Sequence, residues 1–310
     1  MEELHFELLE NGLDFIASGL TYIARGKTKS DLKYGVLHLA SGIELVLKER
    51  LRQQDWALVF KEPESATEDL YKAGNFRSVD QRECLRRLAD ECEIELSQEE
   101  RDKLSAFRSP RNRLEHFAII DTKAAMESSA AQALGVLLDF VTEHFDNSVL
   151  SERDNELLLQ IRERLTEFEA FTTQRLSEIT ADLRQNGALI NLLQCPCCLQ
   201  STLKADVDVE CKFCGYNATG SDAAYFFLAQ HDLTRNTYFC PECVNKTLID
   251  VGFTGGSTPA TQFICFGCGF QWAEGELEIC DRCGEAAEPE DMTVLGCRKC
   301  FKAYIASDHS

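Results

Sequence analysis

The chain has 310 residues, 44% of them hydrophobic and 27% charged, which fits a globular protein of two or three domains. Its net charge of −20 excludes broad electrostatic adhesion to a nucleic-acid backbone, so any phosphate binding must be local. The opening MEELHFELLENG has no basic leader ahead of an apolar run, and no apolar stretch reaches the ~18 residues of a membrane span, so a cytoplasmic protein without membrane contact is expected.

Residues 3–25 and 31–52 carry apolar residues at helical spacing. In the second, Val36, Leu39, Ile43, Val46 and Leu47 recur three or four apart and predict one buried stripe. Trp56 to Phe60 form a short apolar plug ahead of Pro63. Helices are predicted over 66–73 and 79–92, the latter with Cys84, Leu85, Leu88 and Cys92 on its inner face, the two lone thiols acting as small core residues. Ser97 and Glu100 have the spacing of a capping box and open a further helix to about Phe107. Ser109-Pro110 then predicts a break, with Ser109 capping a fresh helix. Residues 122–145 close the domain with an amphipathic helix. No strand series occurs over 1–146, so this first domain is read as an all-α bundle.

The predicted break puts Arg111, Asn112 and His116, within SPRNRLEHF, in the first two turns of that fresh helix. The combination suits phosphodiester chemistry without metal. An imidazole moves protons near neutrality, and a guanidinium offers a planar fork to phosphate oxygens. Arg111 and His116 stand about 140° apart on an ideal helix, so the arginine must reach round. Asn112 and His116 are i, i+4 neighbours, and a first helical turn has free amides for an anion. Arg113 and Glu115 read as a solvated face, His38 as a core or interface histidine, and His5, His144, His231 and His309 as surface.

From Leu158 to Ile190, apolar steps of three and four, with a stutter at Thr172–Leu176, predict one long helix over 147–193. It either folds back on the bundle or dimerises as a coiled coil.

Thirteen of the 15 cysteines follow Gln194, mostly in C-x-x-C pairs. Such knuckles in a chain without a secretory leader predict structural Zn²⁺, about three ions. The expected ligands are Cys195, Cys198, Cys211 and Cys214; Cys240, Cys243, Cys265 and Cys268; and Cys280, Cys283, Cys297 and Cys300, with cross-braced pairing an open alternative. Cys197 is left free. Glycine after the second cysteine suits the tight turn of a knuckle. These pairs resemble zinc ribbons, giving three small β-rich domains at 194–220, 235–272 and 276–305. From Cys195 onward 8 Lys/Arg face 16 Asp/Glu, which favours protein contact or scaffolding over phosphate binding. Tyr225-Phe226-Phe227 and Phe270-Gln271-Trp272 are read as ribbon core first and contact points second.

The R-N-x-x-x-H pattern of Arg111 to His116 resembles the arginine-to-histidine motif of HEPN domains, in which a polar residue commonly follows the arginine. LHLASGIELVLKERL with its Trp-containing plug is similar to bacterial members, and the resemblance covers roughly 5–145. It implies a HEPN-like bundle acting as a metal-independent endoribonuclease on an RNA substrate, with Arg111, Asn112 and His116 catalytic. It further implies a homodimer with a composite site and a role as toxin or antiphage-defence effector, held by a protein partner or antitoxin. Glu44 matches an assisting acidic position of some relatives, and more often such a residue is plain surface. Two other readings stay open: a non-catalytic protein- or nucleotide-binding module, and a zinc-ribbon adaptor on a helical dimerisation platform.

Overall fold

The computed structural model describes residues 5–116, 121–146, 150–186, 192–206, 208–233, 236–252 and 261–308. Contacts divide the chain into two compact units, Met1–Glu178 and Ile179–Ser310.

The N-terminal unit is built from helices α1 (Leu8–Arg25), α2 (Lys29–Gln54), α3 (Glu68–Lys72), α4 (Gln81–Cys92), α5 (Gln98–His116), α6 (Lys123–His144), α7 (Glu152–Arg164) and the first part of α8 (Glu169–Asn186). The α1/α2 hairpin is closed by glycines at a seven-residue spacing, Gly12 and Gly19 facing Gly42 and Gly35. A Cβ on Gly42 would meet Ile16 Cγ1 at 2.5 Å and the Gly12 carbonyl oxygen at 2.7 Å, so the backbones touch here with no room for a side chain. The Thr28/Asp31 capping box starts α2. Its predicted stripe is buried as expected, from Val36 to Leu47.

The plug residues Trp56–Val59 form a 3₁₀ turn, and Phe60 bridges to Ser78. Arg87 holds this turn to α4. It is 6% exposed and donates to the carbonyl oxygens of Leu58 (2.7 Å), Phe60 (2.6 Å) and Lys61 (2.9 Å), and through Nε to Glu83 (3.1 Å). These bonds fix the rotation of α4. Cys84 and Leu88 point into the core, and burial pushes the Cys84 thiol up to about 12, the property of an inert filler. Leu85, expected beside them, is only half-buried.

Two expectations are corrected. First, α5 does not stop at Ser109-Pro110. It starts at the predicted Ser97/Glu100 capping box (2.7 and 3.2 Å) and runs unbroken to His116. One interior proline forfeits a single backbone bond and strains its turn, while α5 buries Leu104 and Phe107 and lies along α2 and α6. The packing of the whole helix outweighs the local cost. Second, 147–193 is not one long helix. The α-helix tightens to a 3₁₀ turn at Leu165–Glu167 and the backbone leaves helical geometry at Phe168 (φ −93°, ψ 88°), while α7 packs on α1. Leu158, Ile161, Leu165 and Phe168 are all buried in the chain's own bundle. Arg25 grips Glu167 with two 2.6 Å bonds, Arg164 donates to Thr21 (2.7 Å), and Arg175 donates to Asp139 (2.8 Å). The first half of the coiled-coil seam is thus spent within the chain. His144, expected at the surface, is half-buried with its ring 5.0 Å from that of Phe140, and burial lowers its pKa.

The C-terminal unit consists of small antiparallel sheets. Strands β1 (Leu192–Leu193), β2 (Leu203–Ala205), β3 (Asp208–Cys211) and β4 (Asn217–Thr219) lie side by side in chain order. Strands β5 (Leu248–Asp250), β6 (Thr261–Cys265) and β7 (Gln271–Ala273) form a second sheet, and β8 (Glu278–Ile279) with β9 (Ala286–Ala287) and β10 (Met292–Thr293) with β11 (Gly296–Cys297) form two separate two-stranded ones. Two helices were not foreseen in this part: α9 (Gly220–Gln230), capped by Thr219 on the Asp222 amide (3.1 Å), and α10 (Arg298–Asp308). Phe227 of α9 lies 5.5 Å from Phe266, and Ile279 and Ala286 pack on the core of Leu248, Phe263, Trp272 and Leu277. The three predicted ribbons therefore share packing within one unit. Phe227 and Trp272 are core as expected, whereas Tyr225 and Phe270 are exposed.

Candidate functional site

Twelve of the thirteen C-terminal cysteines gather into three groups of four: Cys195, Cys198, Cys211 and Cys214; Cys240, Cys243, Cys265 and Cys268; Cys280, Cys283, Cys297 and Cys300. Within each group all four sulfurs lie within 4.8 Å of one another. Pairing is consecutive, and the cross-braced alternative falls. A tetrahedral ion with sulfur bonds of ~2.3 Å requires sulfur–sulfur edges of about 3.8 Å. Two cross-knuckle pairs in each group stand at such distances: 3.8 Å (Cys195–Cys214), 3.7 Å (Cys198–Cys211), 3.7 Å (Cys240–Cys268), 3.7 Å (Cys243–Cys265), 3.9 Å (Cys280–Cys300) and 3.6 Å (Cys283–Cys297). Each group is thus positioned to hold one metal ion. Four sulfurs fill a tetrahedron, which leaves no place for a reacting water.

Five of the six knuckles share one backbone device. The residue after the second cysteine has a left-handed φ, and its amide donates to the carbonyl of the first cysteine. Gly215, Gly269 and Gly284 take it as the sequence suggests, but so do Leu199 (φ 60°) and Val244 (φ 61°). The turn is imposed by the knuckle, and glycine only makes it cheaper.

A second layer supports the sulfurs. Thr202 Oγ1 lies 3.2 Å from Cys211 Sγ and Thr247 Oγ1 lies 3.3 Å from Cys265 Sγ. Amides of Cys197, Gly267 and Cys297 donate to Cys195 (3.4 Å), Cys265 (3.3 Å) and Cys280 (3.1 Å). Such bonds stabilise thiolate over thiol. Hydrogen bonding from Cys240, and then from Thr247 and the Gly267 amide, pulls Cys265 down to about 5. The amides of Cys297 and Cys283 pull Cys280 to about 6. Cys211 is driven down as well, against its burial, by its neighbouring sulfurs and Thr202. The two threonines were missed in the sequence, although each stands four residues after the second cysteine of its first knuckle. In the third group that position is Ala287. Cys197 stays outside the ligand set, as read from its spacing; it is buried and contributes its amide.

In the N-terminal unit, α5 carries Arg111, Asn112 and His116 near its C-terminal end. Arg111 and Asn112 are half-buried, and Arg111 Nη1 donates to Asn112 Oδ1 at 3.1 Å. Arg113 is exposed and reaches Asp121 at 3.3 Å, a solvated pair. The side chains of Glu115 and His116 lie outside the described residues, as does His309. Because α5 is continuous, the amides at 111 and 112 belong to a helix interior and offer no N-terminal anion site. Glu44 is engaged by Lys48 at 2.5 Å, and the same ammonium donates to Ser78 at 2.9 Å. His38 is half-buried, bonded to Ser18 (2.9 Å) and flanked edge-on by Phe15 and Tyr22. Among the described residues, no helix is long and apolar enough to cross a membrane.

Compared with protein-family models, curated proteins and solved structures, the chain gives no match.

Proposed function

We propose that the N-terminal bundle is a metal-independent endoribonuclease of the HEPN type, that the three four-cysteine groups hold structural zinc, and that the C-terminal unit serves recognition or regulation. The observation that supports the first part is the pairing of Arg111 with Asn112 on one helix, a single turn before His116. In this reading a ribose 2′-oxygen attacks the adjacent phosphorus, the 5′-oxygen of the next nucleotide departs, and a 2′,3′-cyclic phosphate remains. His116 moves the protons, Arg111 neutralises the phosphorane oxygens, and Asn112 orients the imidazole or binds an oxygen. A homodimer would supply the second histidine. A cytoplasmic toxin or defence effector restrained by a protein partner is the matching role.

The donor set supports zinc: four converging sulfurs with hydrogen-bonded second neighbours suit a closed, redox-inert tetrahedral ion. The test of the nuclease is incubation of the purified chain with tRNA, mRNA and rRNA in brief EDTA. Cyclic-phosphate ends are expected, and activity that persists in His116→Ala removes the assignment.

A second reading is favoured by the continuity of α5 through Pro110, which takes away the anion-favouring amides. Here the chain is a non-catalytic protein- or nucleotide-binding module, or a zinc-ribbon adaptor. No RNA product together with a stable co-purifying partner, or nucleic acid footprinted on 195–302, would establish it.

A further inference from the structure

Helices α4 and α5 enclose an open cleft of about 470 Å³. Four arginines line it, Arg82 and Arg86 from α4 and Arg101 and Arg108 from α5, against two aspartates, Asp90 and Asp102. Among the lining residues basic groups thus outnumber acidic ones, in a chain with 32 basic and 52 acidic residues. Two of the arginines are engaged within the protein. Arg86 is held by Glu83 (2.7 Å) and Asp90, and Arg101 by the Leu96 carbonyl, Gln98 (3.3 Å) and Glu95 (3.7 Å). Asp102 accepts from Gln98 at 2.8 Å. Among the described residues, Arg82 and Arg108 make no hydrogen bond or ion pair, and Arg108 is felt only as a Coulombic influence on Asp80.

Asp80 caps the start of α4, and Arg82, in the first turn of that helix, lines the cleft together with Arg108 of α5. Arg108 precedes Arg111 by three residues, about 4.5 Å along the helix and on a neighbouring row. Leu85 and Ala89, half-buried, add an apolar wall on which a base can rest.

We infer that this cleft binds the phosphodiester backbone of single-stranded RNA, with Arg82 and Arg108 gripping phosphates and leading the strand to Arg111 and Asn112. The inference rests on the reading of the end of α5 as a phosphodiester site, and its test is separate. Arginine forks match phosphate oxygens. The cleft is large enough for roughly one nucleotide. The surrounding negative charge would confine nucleic acid to this track.

The experiment is fluorescence anisotropy of a short labelled single-stranded RNA on the full-length His116→Ala chain, which prevents turnover, with and without Arg82→Ala/Arg108→Ala, over a range of salt. The pair should weaken binding about tenfold or more and make the slope of log affinity against log salt shallower by about 1.4, at ~0.7 per lost phosphate contact. Arg82→Lys/Arg108→Lys should keep the slope while losing part of the affinity. Should the alanine pair be unstable, Arg82→Gln/Arg108→Gln, which keeps much of the aliphatic stems, must show the same fall. Unchanged affinity and slope overturn the inference, as does binding of ATP with no binding of the oligonucleotide. Arginine-dependent binding by an otherwise native chain that never cleaves RNA removes the nuclease alone. Cleavage indifferent to the arginine pair removes the cleft alone.

Discussion

Replacing Gly19 by alanine tests whether backbone contact sets the α1/α2 hairpin. The added Cβ would stand 2.8 Å from the Leu39 amide nitrogen, 3.0 Å from the Gly35 carbonyl oxygen and 3.2 Å from Leu39 Cα. Comfortable carbon contacts begin at ~3.5 Å, so the helices must part by about 0.7 Å. All three obstacles are main chain, and no rotamer change relieves them. A gap of that size forfeits about a quarter to a half of the dispersion attraction at the contact. Overpacking of this kind costs about 1–3 kcal/mol, and the preference of helices for alanine over glycine offsets about 1 kcal/mol of it. The expected net loss is up to about 2 kcal/mol, or up to about 8 °C in Tm for a unit of this size. Gly135→Ala in α6 is the matched control. Among the described residues outside its own turn of helix, a Cβ there would meet just Arg175 Nη1, at 3.9 Å, so the same substitution should stabilise by about 0.5–1 kcal/mol. Thermal and urea unfolding followed by far-ultraviolet circular dichroism reads both. If the two variants shift in the same direction, the close-contact argument is wrong.

Elemental analysis should find close to three zinc ions per chain, and a strong chelator should abolish the near-ultraviolet signal of the C-terminal unit while the helical signal persists; fewer than two ions refutes the ligand assignment. Val244→Gly should stabilise the second cysteine group by about 0.5–1 kcal/mol, since valine pays for a left-handed φ of 61° and, at 72% exposure, gives up little burial. Chelator-induced unfolding that becomes faster in this variant would contradict that account.

Periodicity exposed α1, α2, α4 and α6 because their inner faces are apolar at steps of three and four. The cysteine pairs exposed the ligand groups because C-x-x-C spacing is itself a local geometric constraint. What stayed hidden was decided by partners distant in sequence. The Gly12/Gly42 and Gly19/Gly35 contacts look like scattered glycines until two helices are laid together. Pro110 looked like a boundary because a proline rule weighs one residue, whereas Leu104 and Phe107 anchor the helix that passes through it. Leu165 and Phe168 kept the step of a seam while the backbone turned between them. The α4/α5 cleft joins Arg82 and Arg108 across 26 positions of ordinary-looking charged helix. Thr202 and Thr247 left a readable trace, a shared offset from the knuckle.

The three cysteine groups differ in how well they are sheltered. The first is wholly buried and the first two each have a threonine hydroxyl, but the third has alanine at that place and contains Cys283, the one exposed ligand among the twelve. Wear therefore has an order along the chain. A thiol oxidant or a zinc-starved medium would act first on the module next to α10, loosening the chain's end while the two inner modules keep their shape.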